Sequence, residues 1–137
     1  MLTTRHITTH ARHEILDITA DVAQIVRDAG IQDGLCVLHV PHTTAAVTLN
    51  ENADPDVKHD LLAKLAALVP QRETYYDHAE GNSDAHLKTA LLGPSLTLII
   101  DRGALLLGTW QGLYFCEFDG PRQRTFHVKL LATPHSA

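Results

Sequence analysis

The chain has 137 residues, 45% of them hydrophobic and 20% charged, which fits one globular domain over residues 1–137 with one core. Its formal net charge of −5 argues against a nucleic acid partner, which needs a basic face to neutralise phosphates. No apolar run approaches the ~20 residues that span a bilayer. The first residues, Met1-Leu2-Thr3-Thr4-Arg5-His6, lack the basic-then-apolar layout of a signal peptide. A cytoplasmic protein with no membrane partner is the expectation. Cys36 and Cys116 lie in apolar, strand-like runs and read as buried free thiols. The unusual feature is ten histidines, because imidazole is the commonest metal ligand and titrates nearest neutrality.

Leu2 to His10 alternates as a strand with Arg5, Ile7 and Thr9 on one face, and His13 to Ile18 reads as a second. The two predict a hairpin turning at His10-Ala11-Arg12. Thr19 is placed to cap a helix over residues 20–29, striped by Val22, Ile25, Val26 and Ala29 and stopped by Gly30. Strands follow over residues 34–40 and 45–50, around Pro41-His42-Thr43-Thr44. Asp54 then caps a helix with Pro55 at its first position. Val57, Leu61, Leu65 and Leu68 form its expected buried stripe, and Pro70 ends it. After a polar stretch, Ser83 is placed to cap a short helix to Leu92, with Leu87, Ala90 and Leu91 facing inward and Gly93-Pro94 as the stop. Residues 95–101, 105–107, 111–118 and 123–131 complete the strands. Helices so few and so unevenly placed predict an α+β fold, with about three helices on a mainly antiparallel, curved sheet of barrel-like or sandwich form.

Three segments carry a resemblance. They are His42-Thr43-Thr44-Ala45 with Asn50-Glu51-Asn52-Ala53-Asp54-Pro55; His78-Ala79-Glu80-Gly81-Asn82-Ser83-Asp84-Ala85-His86-Leu87-Lys88; and Gly108-Thr109-Trp110-Gln111 with Glu117-Phe118-Asp119-Gly120-Pro121-Arg122. In this order, in a chain of this length, they resemble the YjbQ-like family from about Arg5 to Leu130. The resemblance implies a compact α+β domain that assembles as a trimer. It also implies a secondary thiamine-phosphate synthase activity, in which a pyrimidine pyrophosphate is joined to a thiazole phosphate.

The candidate site is read from the residues themselves. His78 and His86 flank the turn Gly81-Asn82 and can converge on one metal. The bland alternative leaves His86 packed at a helix end and His78 in solvent. His42, in a loop after Pro41, is either a third ligand or a residue that holds the Thr43-Thr44 turn. Three imidazoles with an open position would suit a divalent metal, zinc by preference. Glu51 and Glu117 share strand faces with apolar residues, so each is a general base, a ligand-orienting group or half of an ion pair; for Glu117 the partner would be Arg122 or Arg124. Gln111 is placed to hydrogen-bond a ligand. Asn82 and Ser83 open a helix whose N–H groups can hold an anion, with Lys88, Arg122 and Arg124 adding charge. Against a role for Lys88, Asp84 lies four residues earlier and can pair with it on the surface. Asp56 and Asp60 share one helix face and are candidates to support the site.

The other histidines read as bland: His6, His10, His13, His59 and His127 on plain surfaces, His39 as a hydrogen-bonded inner residue, and His135 in a tail. Trp110, Tyr114 and Phe118 on one strand face suggest a surface buried between subunits. Two functions compete. One is a metal-assisted enzyme acting on a small phosphorylated molecule. The other is a non-catalytic homotrimer that binds a metal or a small anion.

Overall fold

The structure is a computed structural model that describes residues 1–134, so His135 lies outside the described residues. In chain order the elements are β1 (Leu2–Thr8), β2 (Glu14–Asp17), α1 (Thr19–Ala29), β3 (Asp33–His39), β4 (Ala45–Glu51), α2 (Pro55–Leu68), α3 (Ser83–Leu92), β5 (Ser95–Asp101), β6 (Ala104–Leu105), β7 (Gln111–Glu117) and β8 (Gln123–Ala132). The strands form two antiparallel sheets, one ordered β1-β8-β3-β5-β6 and the other β2-β7-β4. The α+β class, the three helices and the curved antiparallel sheet are as expected. Among the described residues no helix is long and apolar enough to cross a membrane.

Alternation along the strands builds the core. Phe126, Val128 and Leu130 of β8, Cys36 and Leu38 of β3 and Leu98 and Ile100 of β5 turn inward to meet Val22, Ile25 and Val26 of α1. Gly30 ends α1 in the left-handed region at φ +69°, as glycine readily does. Strand β7 is buried on both faces. Leu113 and Phe115 enter this core, while Tyr114 and Cys116 face a second cluster with Ala46, Ala85 and Phe118 beneath α2 and α3. Burial pushes the Cys36 thiol up to about 11 and the Cys116 thiol up to about 12, so both free cysteines are unreactive packing residues.

Several local expectations are corrected. β1 and β2 form no hairpin: β1 pairs with β8, β2 pairs with β7, and the segment between them crosses from one sheet to the other. Thr19 does not cap α1. Its backbone N–H and its hydroxyl both donate to Asp17 Oδ1, at 2.9 and 2.5 Å, and its oxygen accepts the Leu113 N–H at 2.9 Å. Asp54 does cap α2, accepting from the Asp56 N–H at 2.9 Å, but the stripe behind it is shallow. Val57, Leu61 and Leu65 are only half-buried and Leu68 is 63% exposed.

In α3 the buried face is Asp84, Ala85, Lys88 and Thr89 rather than Leu87, Ala90 and Leu91; Leu91 is 67% exposed. The cause is ionic. Arg12 donates to both Asp84 oxygens at 3.1 and 2.9 Å, and Lys88 Nζ donates to Asp84 Oδ2 at 2.8 Å. The Asp84–Lys88 pair exists as its spacing suggested, but it is buried instead of surface-bound. Charges so paired can be buried where unpaired ones cannot. His39 is likewise outward, bonded through Nδ1 to the Ser95 hydroxyl at 2.7 Å, because the inner parity of β3 belongs to Gly34, Cys36 and Leu38.

Candidate functional site

The site lies at the end of the molecule where β7 turns into β8. Glu117 and Arg124, both buried, face each other across that turn, as one of the two sequence alternatives required. Arg124 donates through Nε to Glu117 Oε1 at 2.8 Å and through Nη2 to Oε2 at 2.5 Å. The Thr9 hydroxyl adds a bond to Oε1 at 2.7 Å and the Asp119 N–H one to Oε2 at 3.0 Å. Burial pulls the Glu117 pKa up, but the bonds from Arg124, Thr9 and Asp119 outweigh it and hold the carboxyl below its ordinary range. Glu117 is therefore a satisfied, ionised anchor rather than a free base.

The turn above it is tightly fixed. The Gly120–Pro121 peptide is cis, and the Gly120 N–H donates to the Arg12 carbonyl at 3.1 Å. A Cβ on Gly120 would strike the Ala11 carbonyl oxygen, so only glycine fits there. Arg122 folds back on the turn, donating through Nε to the Asp119 carbonyl at 2.7 Å and through Nη2 to Asp119 Oδ2 at 3.0 Å. Asn82 Nδ2 donates to the same Asp119 oxygen at 2.8 Å, which ties the start of α3 to the turn.

These groups enclose a polar cavity of about 340 Å³ whose walls include His42, Asn82, His86, Asp119, Arg122 and Arg124. His42 accepts the Thr125 N–H at Nε2, 3.0 Å away. Burial, and then the charge of Arg124, lower its pKa, and the Thr125 bond opposes protonation at the same nitrogen. Beside the cavity a groove of about 440 Å³ runs between Tyr75, Tyr76, His78 and Leu87, and His86 lines both spaces. The His78 and His86 rings meet edge to face, with centroids 5.3 Å apart.

The structure brings together His42, Asn82, His86 and Arg122, and sets Ser83 and His78 in the adjoining groove. The three-histidine metal set does not close. Among the described residues no group of three His, Cys, Asp or Glu side chains is arranged to hold a metal ion, and His42 Nε2 is already engaged by Thr125. No chemical step is therefore assigned to a metal. Lys88 is also away from the anion position, because its ammonium group is consumed by Asp84 and, at 3.4 Å, His13 Nε2.

Glu51 and Gln111 stand at the other end of β7. They are opposite one another in register, six residues or ~20 Å along the strand from Glu117. There Gln111 Oε1 accepts the Gly108 N–H at 2.8 Å, and the Tyr114 hydroxyl donates to the Glu51 carbonyl at 2.8 Å and to Asn52 Oδ1 at 2.7 Å. Asn52 packs on Gly112 so closely that a Cβ would lie 2.8 Å from it. Residues 50–55 and 108–111 of two family-like segments thus close one end of the fold, while His42 and Arg122 of the same segments line the cavity at the other. Asp56 and Asp60 are exposed on α2. Trp110 is exposed, but Tyr114 and Phe118 are fully buried beneath the helices, which removes them from any subunit surface. Sequence reasoning missed Asp119, Thr44, Glu80 and the tyrosine groove. Asp119, Thr44 and Glu80 all stand in the family-like segments, beside Glu117 and Arg122, His42 and His78.

The charge network has a defined pH signature. Burial raises the Asp84 pKa, but the bonds from Arg12 and Lys88 outweigh it and hold the carboxyl well below the usual range. Burial, then Lys88 and Arg12, lower the His13 pKa. Asp84, Glu117, His13 and His42 thus each titrate lower in the folded chain than in the unfolded one. The unfolded chain binds more protons as pH falls, so each contribution is present above the unfolded pKa and is lost below it. Stability should decline from about pH 6.5 as His13 and His42 take effect, and more steeply below about pH 4 as Asp84 and Glu117 do. Urea midpoints at pH 8, 5.5 and 3.5 test this; a midpoint unchanged or higher at pH 3.5 would contradict it.

Residues 3–133 match the family described as UPF0047 protein YjbQ-like. A UPF0047 protein of Methanocaldococcus jannaschii is 50% identical over 131 residues, covering 96% of this chain and 94% of that one. UPF0047 protein YugU of Bacillus subtilis is 47% identical, covering 96% and 99%. Among solved structures, an uncharacterised YjbQ/UPF0047 protein of Clostridium acetobutylicum matches with a TM-score of 0.92 and 47% identity, covering 94% of this chain and 99% of that one. A YbjQ-like protein of unknown function from Sulfolobus solfataricus matches with a TM-score of 0.93 and 32% identity, covering 97% of each. With the match running through nearly every element from β1 to β8, this chain belongs to the UPF0047 YjbQ-like family.

Proposed function

We propose that the polar cavity binds a small phosphorylated molecule and that the protein acts on it, with His86 handling protons and His42, its Nε2 held by Thr125, bonding to the ligand. The observation that carries this reading is that two histidines, Arg122 and the N-cap residue of α3 line a single cavity. Helix N-termini favour anions, and arginine suits phosphate oxygens. The neighbouring groove of Tyr75, Tyr76 and Leu87 offers room for the rest of the ligand. Formation of thiamine phosphate, which the family resemblance implies, is the first reaction to test, in a protein we place in the cytoplasm.

A second reading, a non-catalytic binder, also has an observation in its favour. Both arginines already have carboxylate partners, and Glu117 is fully engaged. Turnover separates the two: purified protein converts the pyrimidine and thiazole phosphates under the first reading and only binds them under the second. Under either, Arg122→Ala should weaken methyl phosphate binding about tenfold or more, the worth of a charge-assisted hydrogen bond, with the circular dichroism spectrum unchanged. Unchanged affinity in calorimetry would remove Arg122 as the anion anchor.

Zinc on His42, His78 and His86 is carried as a separate proposal, and it requires His42 to give up its bond from Thr125. Elemental analysis of the parent and of each His→Ala variant tests it. Full metal retention in His78→Ala and His86→Ala overturns it.

A homotrimer is the third component. Leu131, Leu35 and Ile99 lie side by side across β8, β3 and β5 on the outer sheet face, each more than 40% exposed, with exposed Leu106 next to Ile99. An apolar row of this kind suits a contact between copies. Light scattering at micromolar concentration should return three times the chain mass; a monomer would refute it.

A further inference from the structure

Asn82 is 6% exposed, yet its Oδ1 has no hydrogen-bond partner. Its Nδ2 donates to Asp119 Oδ2, which also accepts from Arg122 Nη2. That fixes the orientation of the amide, because turning it over would set its oxygen against the Asp119 carboxylate. Oδ1 is therefore an acceptor that lacks a donor. The helix behind it supplies none: the Ala85 and His86 N–H groups go to the Asn82 main-chain carbonyl, and the side chain makes no capping bond. Buried amide oxygens are normally satisfied, and leaving one bare is costly. Asn82 belongs to the wall of the polar cavity while Oδ1 itself is closed off from solvent, so an occupant supplies the missing donor once that wall shifts to admit it.

We propose that Asn82 is a specificity-determining residue, whose Oδ1 accepts a hydrogen bond from an O–H or N–H carried by the bound anion. The cavity then selects a protonated oxyanion of the phosphate type over a fully deprotonated oxyanion of the same shape. This rests on the phosphate reading above and narrows it. Glu80, on the same cavity, acts in the same direction by disfavouring the more highly charged form. Inorganic phosphate keeps a P–O–H donor throughout the neutral range, whereas sulfate has none. A phosphate monoester has one only as its monoanion, below its second pKa of about 6. A site that hydrogen-bonds a ligand hydroxyl rejects the analogue without it, because the site's own polar group is left unpaired.

Calorimetry on the full chain tests the proposal, with inorganic phosphate, sulfate and methyl phosphate as probes. At pH 7 phosphate should bind about tenfold or more tighter than sulfate, the cost of one bare buried acceptor. Asn82→Ala should bring that ratio close to one. In the parent protein, the ratio of methyl phosphate to sulfate affinity should fall as pH rises from 5 to 8. Histidine titration affects both anions alike and cancels in that ratio, so this arm stands even if Asn82→Ala fails to fold. Equal affinities for phosphate and sulfate in the parent would overturn the role of Asn82 and leave phosphate binding intact. A parental ratio kept in folded Asn82→Ala would do the same. Binding of neither anion would overturn this inference together with the phosphate reading.

Discussion

Glu117 lies on β7 of the smaller sheet and Arg124 on β8 of the larger one, and their buried ion pair fastens the two together. Thr9, just past β1, donates to the same carboxylate, and Thr44, just before β4, accepts from the same guanidinium at 2.8 Å. Four chain segments from two sheets thus meet at one pair of charges. Such a pair is not a large net source of stability compared with well-packed apolar side chains. Its effect is on uniqueness: removing either partner strands a buried charge, at about 3–5 kcal/mol, so alternative arrangements of this end are disfavoured. The rest of the site inherits that rigidity. The β7–β8 turn is held from below by the Asp119 N–H on Glu117 and from the side by Thr9, whose oxygen accepts the Arg122 N–H at 2.8 Å.

A second ionic knot sets the remaining wall. Arg12 and Lys88 converge on Asp84, two residues after Asn82 and two before His86, and so fix the first turn of α3 against the segment that links β1 to β2. The two knots are joined by Asp119, which accepts from both Asn82 and Arg122. The molecule is polarised as a result. One end of β7 carries a cavity floored by satisfied charges, with two histidines at its walls. The other end, where Asn52 sits on Gly112 and Glu51 faces Gln111, is closed by packing and backbone hydrogen bonds.

Much of the fold was legible from local rules. The α1 stripe and its Gly30 stop, the Asp54-Pro55 start of α2 and the alternation of β1 and β8 all follow from side-chain period and capping chemistry. What escaped depended on partners distant in sequence. β1 and β2 look like a hairpin until β8 and β7 claim them. α3 looks leucine-faced until Arg12, 72 residues away, neutralises Asp84 and lets the charged face turn inward. The site was half legible. His42, His86, Asn82 and Arg122 were marked by loop position and helix-end chemistry, and they do share a cavity. Glu51 was marked by its parity on an apolar strand face and Gln111 by its place at a strand start, yet strand register carries them to the far end. Parity along β7 distinguishes faces but says nothing about which end holds the ligand.

The central claim is that the ligand end is the one built on Glu117 and Arg124. Backbone amide shifts of isotope-labelled protein, followed by nuclear magnetic resonance during titration with methyl phosphate, test it most directly. The account predicts saturable shifts confined to the residues around His42, Asn82, Ser83, Arg122 and Thr125, with Glu51, Asn52 and Gln111 unmoved. Shifts centred on Glu51 and Gln111 instead, or none at millimolar methyl phosphate, would contradict it.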